Sequence, residues 1–86
     1  MKQFSYIITD ELGIHARPAG VLAKVARNYA DTEITVDCNG KKAKVTQLLK
    51  LMSLGVKQGS TVTIAAEGPD EEEAIAAMDD FFKANL

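Results

Sequence analysis

The pair Asn39-Gly40 limits this chain to folds that contain an antiparallel hairpin. Both residue types tolerate the positive φ values of a two-residue turn, and such a pair between alternating apolar runs is the strongest short hairpin signal. Apolar residues alternate with polar ones on both sides of the pair, at Ile34, Val36, Cys38, Ala43 and Val45. The pattern predicts two paired strands, each with one face in a core.

Two more segments alternate with a period of two residues, which is typical of strands with one buried face. Their apolar residues are Phe4, Tyr6 and Ile8 near the beginning of the chain, and Val62, Ile64 and Ala66 later on. The single cysteine, Cys38, falls on the apolar face of its strand, so we interpret it as a core residue. One cysteine excludes an internal disulfide and suits a reducing compartment.

Helical spacing marks the segment that follows the first strand. The helix is predicted to begin at about Ala16, because Pro18 suits the first turn, where its missing N–H has no partner to lose. An apolar stripe predicts burial of Val21, Leu22, Val25, Ala26 and Tyr29. A second row of residues runs along another side of the helix: Arg17, Gly20, Lys24 and Arg27. This row is interpreted as a docking surface, and the alternative is an ordinary solvated face.

Two further helices are predicted. The shorter one covers Gln47 to Leu54 and ends before Gly55, which suits a left-handed terminating residue. The last one follows Pro69, with Asp70 and Glu73 at the spacing of a capping box. Its apolar stripe consists of Ile75, Met78 and Phe82, with Ala74 and Phe81 beside them. The run of acids at its start suits the helix dipole, whereas successive helical carboxylates diverge, so we expect no metal site and no cofactor.

The predicted order of elements is therefore β-α-β-β-α-β-α. This order predicts an α+β fold in which a four-stranded antiparallel sheet is covered on one face by three helices. A chain of 86 residues has room for one core, so we expect a single domain over residues 1–86.

The net charge of −2 hides an asymmetry along the chain. From His15 to Lys50 there are three acidic residues and seven basic ones: Arg17, Lys24, Arg27, Lys41, Lys42, Lys44 and Lys50. From Glu67 to Leu86 there are seven acidic residues and one basic residue. The first of these segments suits acidic partners, but a pI near 5.3 argues against nucleic acid. Because no apolar run approaches a membrane span and no signal core precedes Glu11, we expect a cytoplasmic protein without membrane insertion.

His15 is the only histidine and directly precedes the predicted helix start. A helix N-terminus has unpaired N–H groups and about half a positive charge, so it stabilises an anion and favours neutral imidazole, the nucleophilic form. Arg17 adds a planar set of donors suited to phosphate oxygens. This arrangement predicts a phosphoryl acceptor at His15, with the phosphate held by Arg17 and by the backbone N–H groups of Ala16 and Arg17. The alternative is a surface or capping histidine.

The segment from Gly13 to Leu22 resembles the active-site signature of the HPr family, the histidine-containing phosphocarriers of the bacterial phosphoenolpyruvate-dependent sugar phosphotransferase system. The resemblance continues, in the family's order, through three further segments: residues 39–41, 51–55 and 65–68. It implies an open-faced β-sandwich and a phosphohistidine at Nδ1 of His15. The implied partners are enzyme I upstream and the sugar-permease IIA domains downstream.

The short helix carries two separate apolar arcs when successive residues are projected at about 100°. We expect Leu51 and Leu54 to face the sheet and to leave Leu48, Leu49 and Met52 toward solvent, although burial of both arcs remains an alternative. The exposed arc, fringed by Arg17, Lys24, Arg27 and Lys50, is predicted to dock partner proteins. The resemblance supports this prediction, because the corresponding HPr helix docks into partners.

Two positions depart from the family pattern. Leu12 stands where the family usually has Ser or Asn, whose polar side chain helps to hold the imidazole and its phosphate. Many Gram-positive members carry a regulatory serine at the position of Gln47, and the neighbouring Thr46 is a candidate helix cap. We therefore expect altered transfer rates and no seryl regulation at the usual place.

Three functions remain open at this stage. The first is a monomeric phosphocarrier, a stoichiometric transfer intermediate rather than an enzyme with its own small substrate. The second is a regulatory docking module that acts through Leu48, Leu49 and Met52 by occupancy alone. The third is a phosphocarrier of a specialised phosphotransferase branch, which shares the chemistry and differs in its partners.

Overall fold

A computed structural model of the chain describes residues 1–11, 13 and 16–86, and of Ala16 and Leu48 only the backbone. The elements follow in the order β1 (Lys2–Ile7), α1 (Ala16–Arg27), β2 (Glu33–Cys38), β3 (Lys41–Lys44), α2 (Leu48–Met52), β4 (Thr61–Glu67) and α3 (Glu71–Asn85). The predicted order and the α+β class are confirmed. Two residues discussed above, Leu12 and His15, lie outside the described residues.

The four strands form one antiparallel sheet in the order β1-β4-β2-β3. Val36 of β2 pairs with Ile64 of β4, and the register of β1 on β4 runs from Lys2 opposite Ala66 to Ile7 opposite Thr61. β2 and β3 pair as the predicted hairpin. The two residues between them, Asn39 and Gly40, have φ values of 55° and 82°. The positive signs of both angles are those of a type I′ turn.

The three helices cover one face of the sheet. α3 packs on β1 and β4, α2 packs on β3, and α1 packs against α2 and α3. Phe82 of α3 is completely buried, and its ring meets those of Phe4 and Tyr6 edge to face, with centroids 6.0 and 5.6 Å apart. The core also contains Cys38, as predicted, with a free and buried thiol. Among the described helices, none is long and apolar enough to cross a membrane.

The buried stripe of α1 differs from the prediction. Ala19, Leu22, Ala23 and Ala26 are buried, whereas Val21 is 48% exposed. The expected burial of Val21 is therefore wrong. The reason is that three of these core positions are alanines, whose small side chains let the helix approach its neighbours and place the centre of the buried face at Leu22. Val21 lies about 100° away from Leu22 and faces solvent.

The short helix α2 also differs in detail. It contains only Leu48–Met52, shorter than the predicted segment, and Gly55, with φ of 72°, lies beyond its end. The residue that caps its N-terminus is Gln47, which makes no side-chain capping hydrogen bond. The expectation that Thr46 caps this helix is therefore wrong, because the helix begins one residue too late for that hydroxyl.

The capping box predicted for α3 is not formed. Asp70 is the N-cap residue, but its side chain makes no capping hydrogen bond. The N–H groups near this helix end find other acceptors: Asp70 N–H donates to Thr32 Oγ1 at 3.0 Å, and Gly68 N–H donates to Glu71 Oε1 at 3.5 Å. The hydroxyl of Thr32, in the loop before β2, thus accepts the hydrogen bond that Glu73 would have accepted in a capping box.

Candidate phosphoryl-acceptor site

The start of α1 lies where the sequence predicts it, at Ala16. The helix begins at Ala16, so the chain enters it directly from His15, and its first turn holds no acidic residue. The backbone N–H groups of Ala16 and Arg17 have no acceptor within the helix, and the helix dipole places partial positive charge beside them. A phosphate on the preceding residue would find both of these favourable features.

The segment that leads into the site is firmly attached to the loop before β4. Ile8 N–H donates to the carbonyl oxygen of Ser60 at 2.9 Å, and Gly59 N–H donates to the carbonyl oxygen of Ile8 at 2.8 Å. Gly13 N–H closes a turn onto the carbonyl oxygen of Asp10 at 3.0 Å. These bonds attach Ile8 to the loop before β4 and Gly13 to Asp10.

Gly13 is required at its position for two reasons. Its φ is +65°, which side-chain-bearing residues rarely adopt. A Cβ atom there would also collide with the backbone oxygen of Val56 and lie 2.6 Å from Cα of Lys57. The backbone of Gly13 therefore lies against residues 56–57 with no room for a side chain.

Arg17 is exposed and is available to an anion. Within the described part of the chain its guanidinium makes no ion pair with a carboxylate. The residue is the second of α1, one helical position after Ala16. A guanidinium without an internal partner is free to bind phosphate oxygens in a charge-assisted, bidentate manner.

The row of residues predicted along α1 faces solvent throughout. Arg17, Gly20, Lys24 and Arg27 are all exposed, and so is Lys50 of α2. Lys24, Arg27 and Lys50 also make no ion pair among the described residues. This surface therefore presents positive charge without a paired carboxylate along α1, from Arg17 in its first turn to Arg27 at its end.

Apolar side chains accompany these cations. Leu49 is 83% exposed and Met52 is 38% exposed, whereas Leu51 and Leu54 are buried, as the helical projection predicts. The side chain of Leu48 lies outside the described residues. Val21 is a third exposed apolar residue, and it lies on α1, the helix that packs against α2. We call Val21, Leu49 and Met52 the apolar patch.

The exposure of Val21 was not predicted from the sequence. The available signal was its spacing, four residues after Arg17 and three before Lys24, which places it on the side of the row of cations. Its valine side chain outweighed that signal in the prediction of a buried stripe.

The rest of the described structure offers neither an anion-binding cavity nor a metal site. A cavity of about 670 Å³ lies at the C-terminal end of α1, where Arg27 and Lys44 share the lining with Asp31 and Glu33. The mixed charges give no uniform attraction for an anion. In the part of the chain that is described, no three His, Cys, Asp or Glu side chains converge as a metal site would require.

Comparisons with known proteins agree on one family. A family model described as the PTS HPr component phosphorylation site matches residues 2–84. The phosphocarrier protein HPr of Mycoplasma genitalium is 42% identical over 78 residues, which cover 91% of this chain and 89% of that protein. The crystal structure of HPr-C-His from Thermoanaerobacter tengcongensis is similar with a TM-score of 0.91 and 39% identity, over 98% of this chain and 93% of that chain.

An assembled relative is also similar. An HPr dimer from Thermoanaerobacter tengcongensis matches with a TM-score of 0.75 and 39% identity, over 98% of this chain and 95% of that chain.

Proposed function

This chain belongs to the HPr family of phosphocarrier proteins, and on that premise we propose that it accepts a phosphoryl group on Nδ1 of His15 from phosphorylated enzyme I and passes it to sugar-permease IIA domains. The observation that carries the proposal is the start of α1 at Ala16, immediately after the only histidine of the chain. Of the three described helices, only α1 directly follows a histidine in the sequence.

In the transfer step one bond to phosphorus forms and one breaks. The lone pair of Nδ1 forms a bond to phosphorus while the bond between phosphorus and the donor breaks, and the bonding electron pair leaves with the donor. Nε2 keeps its proton. In the second transfer the roles are reversed, so the imidazole of His15 becomes the leaving group. The protein is regenerated after each cycle, which is the behaviour of a stoichiometric carrier rather than of an enzyme with its own substrate.

Stabilisation of the phosphorylated state follows from the described neighbours of His15. The phosphate adds about −1.5 to −2 charges at neutral pH. The N–H groups of Ala16 and Arg17 and the unpaired guanidinium of Arg17 supply donors and positive charge for it. Because Arg17 is exposed, it also leaves the phosphate accessible to the next acceptor.

Partner docking is assigned to the surface beside the acceptor. The apolar patch excludes water at the centre of a contact, while Gly20 allows close approach and Lys24, Arg27 and Lys50 attract acidic partners. Leu48 belongs to this assignment on sequence grounds alone. We propose that the protein works in the cytoplasm as a monomer with a single domain over residues 1–86, without a cofactor or a metal ion.

A second function is supported by the same surface. The apolar patch and its cations would also serve a regulatory module that acts by occupancy and needs no phosphohistidine. His15→Ala distinguishes the two functions, because a carrier loses its activity while a docking module retains its binding. A phosphocarrier for a specialised branch would share the chemistry and differ in which partner it accepts.

The direct test is phosphorylation with phosphoenolpyruvate and a compatible enzyme I, followed by mass spectrometry of the intact protein. We expect one acid-labile phosphate on the parent and none on His15→Ala. Circular dichroism of both proteins controls for folding. A folded parent that stays unmodified with several enzyme I proteins would contradict the carrier function.

A further inference from the structure

Leu86, at the end of α3, binds the segment that leads to the phosphoryl acceptor. Its carbonyl oxygen accepts hydrogen bonds from the backbone N–H of Thr9, from the backbone N–H of Asp10 at 2.9 Å and from Thr9 Oγ1 at 2.8 Å. Three donors from two adjacent residues thus meet one oxygen. Thr9 and Leu86 are 77 positions apart in the chain.

The acceptor oxygen is itself held in place. The side chain of Leu86 is 3% exposed and forms part of the core. Its N–H donates to the carbonyl oxygen of Phe82 at 2.8 Å, and the ring of Phe82 is buried against Phe4 and Tyr6. Leu86 therefore presents its carbonyl oxygen from a rigid part of the molecule.

Thr9 is held through all of its polar groups. Its N–H and hydroxyl donate to Leu86, and its carbonyl oxygen accepts a hydrogen bond from Gln58 Nε2 at 3.3 Å. β1 has already ended at Ile7, so these bonds do not belong to the sheet. They attach the chain after the strand, where it would otherwise have only water as a partner.

The attachment extends to both sides of His15. On the N-terminal side, the turn from Asp10 to Gly13 connects the Leu86 contact with the close approach of Gly13 to Val56. On the C-terminal side, Ala16 begins α1. In the sequence, His15 thus stands between Gly13, which lies against Val56, and the first residue of α1.

We propose that Leu86 and Thr9 are positioning residues for phosphoryl transfer at His15, an inference that rests on the function proposed above. Phosphoryl transfer requires the attacking nitrogen in line with the departing bond, and a displacement of about 1 Å can cost large factors in rate. A loosened Thr9 would let the N-terminal flank of His15 move relative to α1. The imidazole would then sample orientations in which the phosphate misses the N–H groups of Ala16 and Arg17.

The test uses three variants of the two positioning residues and two control variants elsewhere. Thr9→Val removes the hydroxyl donor at nearly constant volume, and Thr9→Ser restores it. Leu86→Ala removes the buried side chain that holds the carbonyl oxygen. The matched controls are Thr63→Val, which removes a hydroxyl on the open face of the sheet, and Ile34→Ala, which truncates a side chain that is also 3% exposed but lies in β2.

The readouts are the rate of phosphorylation by phosphoramidate, a small donor that needs no partner protein, and the NMR titration of the His15 ring. All measurements are made well below the unfolding temperature of each variant. We expect Thr9→Val and Leu86→Ala to lower the rate by about threefold to tenfold and to shift the ring titration. Thr9→Ser and both controls should keep the parental rate and titration.

Two results would overturn the positioning role: parental rates and titrations in Thr9→Val and Leu86→Ala, or an equal loss in the control Ile34→Ala. If Leu86→Ala does not fold, Thr9→Val and Thr9→Ser decide the outcome alone. A parent that accepts phosphate from phosphoramidate but not from enzyme I would contradict the proposed function. The phosphoramidate rates of the variants would still test the positioning role. A His15 that accepts phosphate from neither donor would overturn both.

Discussion

Leu49 and Leu51 lie two residues apart on α2, yet Leu49 is 83% exposed while Leu51 is completely buried. About 200° of helical rotation separates the two side chains, so a single short helix serves the core with one side and solvent with the other. The exposed side joins Met52 and the cations of α1. Docking and folding can therefore be tested by different substitutions on the same element.

Leu49→Asp is expected to weaken docking to enzyme I and to leave the fold intact. The substitution places a charge at the centre of the apolar patch, but an exposed position typically changes the free energy of unfolding by less than about 0.5 kcal/mol. Titration of labelled protein with enzyme I measures the docking, and thermal unfolding measures the stability. A large fall in melting temperature would show that Leu49 contributes to the core.

The control for this experiment is Leu51→Ala. It removes a completely buried side chain and should cost about 2–5 kcal/mol of unfolding free energy. Docking by the fraction that remains folded should be close to parental. Together the two variants separate loss of contact from loss of structure.

Arg17→Ala should slow phosphoryl transfer far more than it changes stability. The guanidinium makes no ion pair in the described structure, whereas a charge-assisted hydrogen bond to phosphate contributes about 1.5–3 kcal/mol. That energy corresponds to a loss of roughly tenfold to a hundredfold in rate. Rapid-quench kinetics with phosphorylated enzyme I measures it, and Lys83→Ala, on α3, is the control. Equal rates in Arg17→Ala and the parent would exclude the assigned role.

Glu71→Gln should reduce stability at neutral pH but not in acid. The hydrogen bond from the Met1 ammonium, at 3.0 Å, lowers the pKa of the Glu71 carboxyl, and the N–H of Gly68 and the charge of Lys2 act in the same direction against the opposing effect of burial. A carboxyl whose pKa is lower in the folded state contributes stability above its unfolded pKa of about 4.3. That contribution disappears as the pH falls through the lower folded value.

Urea unfolding at a series of pH values between neutral and strongly acidic measures this dependence. The midpoints of the parent and Glu71→Gln should differ at neutral pH and converge in acid. Glu72→Gln is the matched control, because Glu72 is adjacent and its side chain is 83% exposed. A constant difference between parent and Glu71→Gln at every pH would rule out the ionic contribution of Glu71.

ATP-dependent regulation at the usual seryl position should be absent, because Gln47 has no hydroxyl. Thr46 is exposed, but it precedes the cap residue of α2 by one position, which changes the direction of its hydroxyl. Incubation with HPr kinase and labelled ATP compares the parent with Thr46→Ala and Gln47→Ser. We expect label only in Gln47→Ser. Stoichiometric label on the parent that vanishes in Thr46→Ala would contradict this expectation.

Some features of this molecule follow from residues that are close together in the chain. The hairpin depends on Asn39 and Gly40 and their immediate neighbours, and the start of α1 follows from the chemistry of Pro18. Helical periodicity is also sufficient to place Leu49 and Leu51 on opposite sides of α2, although packing decides which side is buried. Because Pro18 predicts the start of α1, the sequence also places His15 at a helix N-terminus with Arg17 nearby. That placement is enough to suggest phosphate chemistry.

Other features depend on residues that are distant in the chain, and only the tertiary structure decided them. Thr32, rather than Glu73, accepts the hydrogen bond from the N–H of Asp70, because the loop before β2 lies over the start of α3. Val21 is exposed because small alanines determine which side of α1 faces its neighbours. The contact of Leu86 with Thr9 has no periodic signal, since it exists only after α3 has packed on β1. Local patterns determine each element, whereas the packing of elements determines which residues meet, and no short-range pattern records that choice.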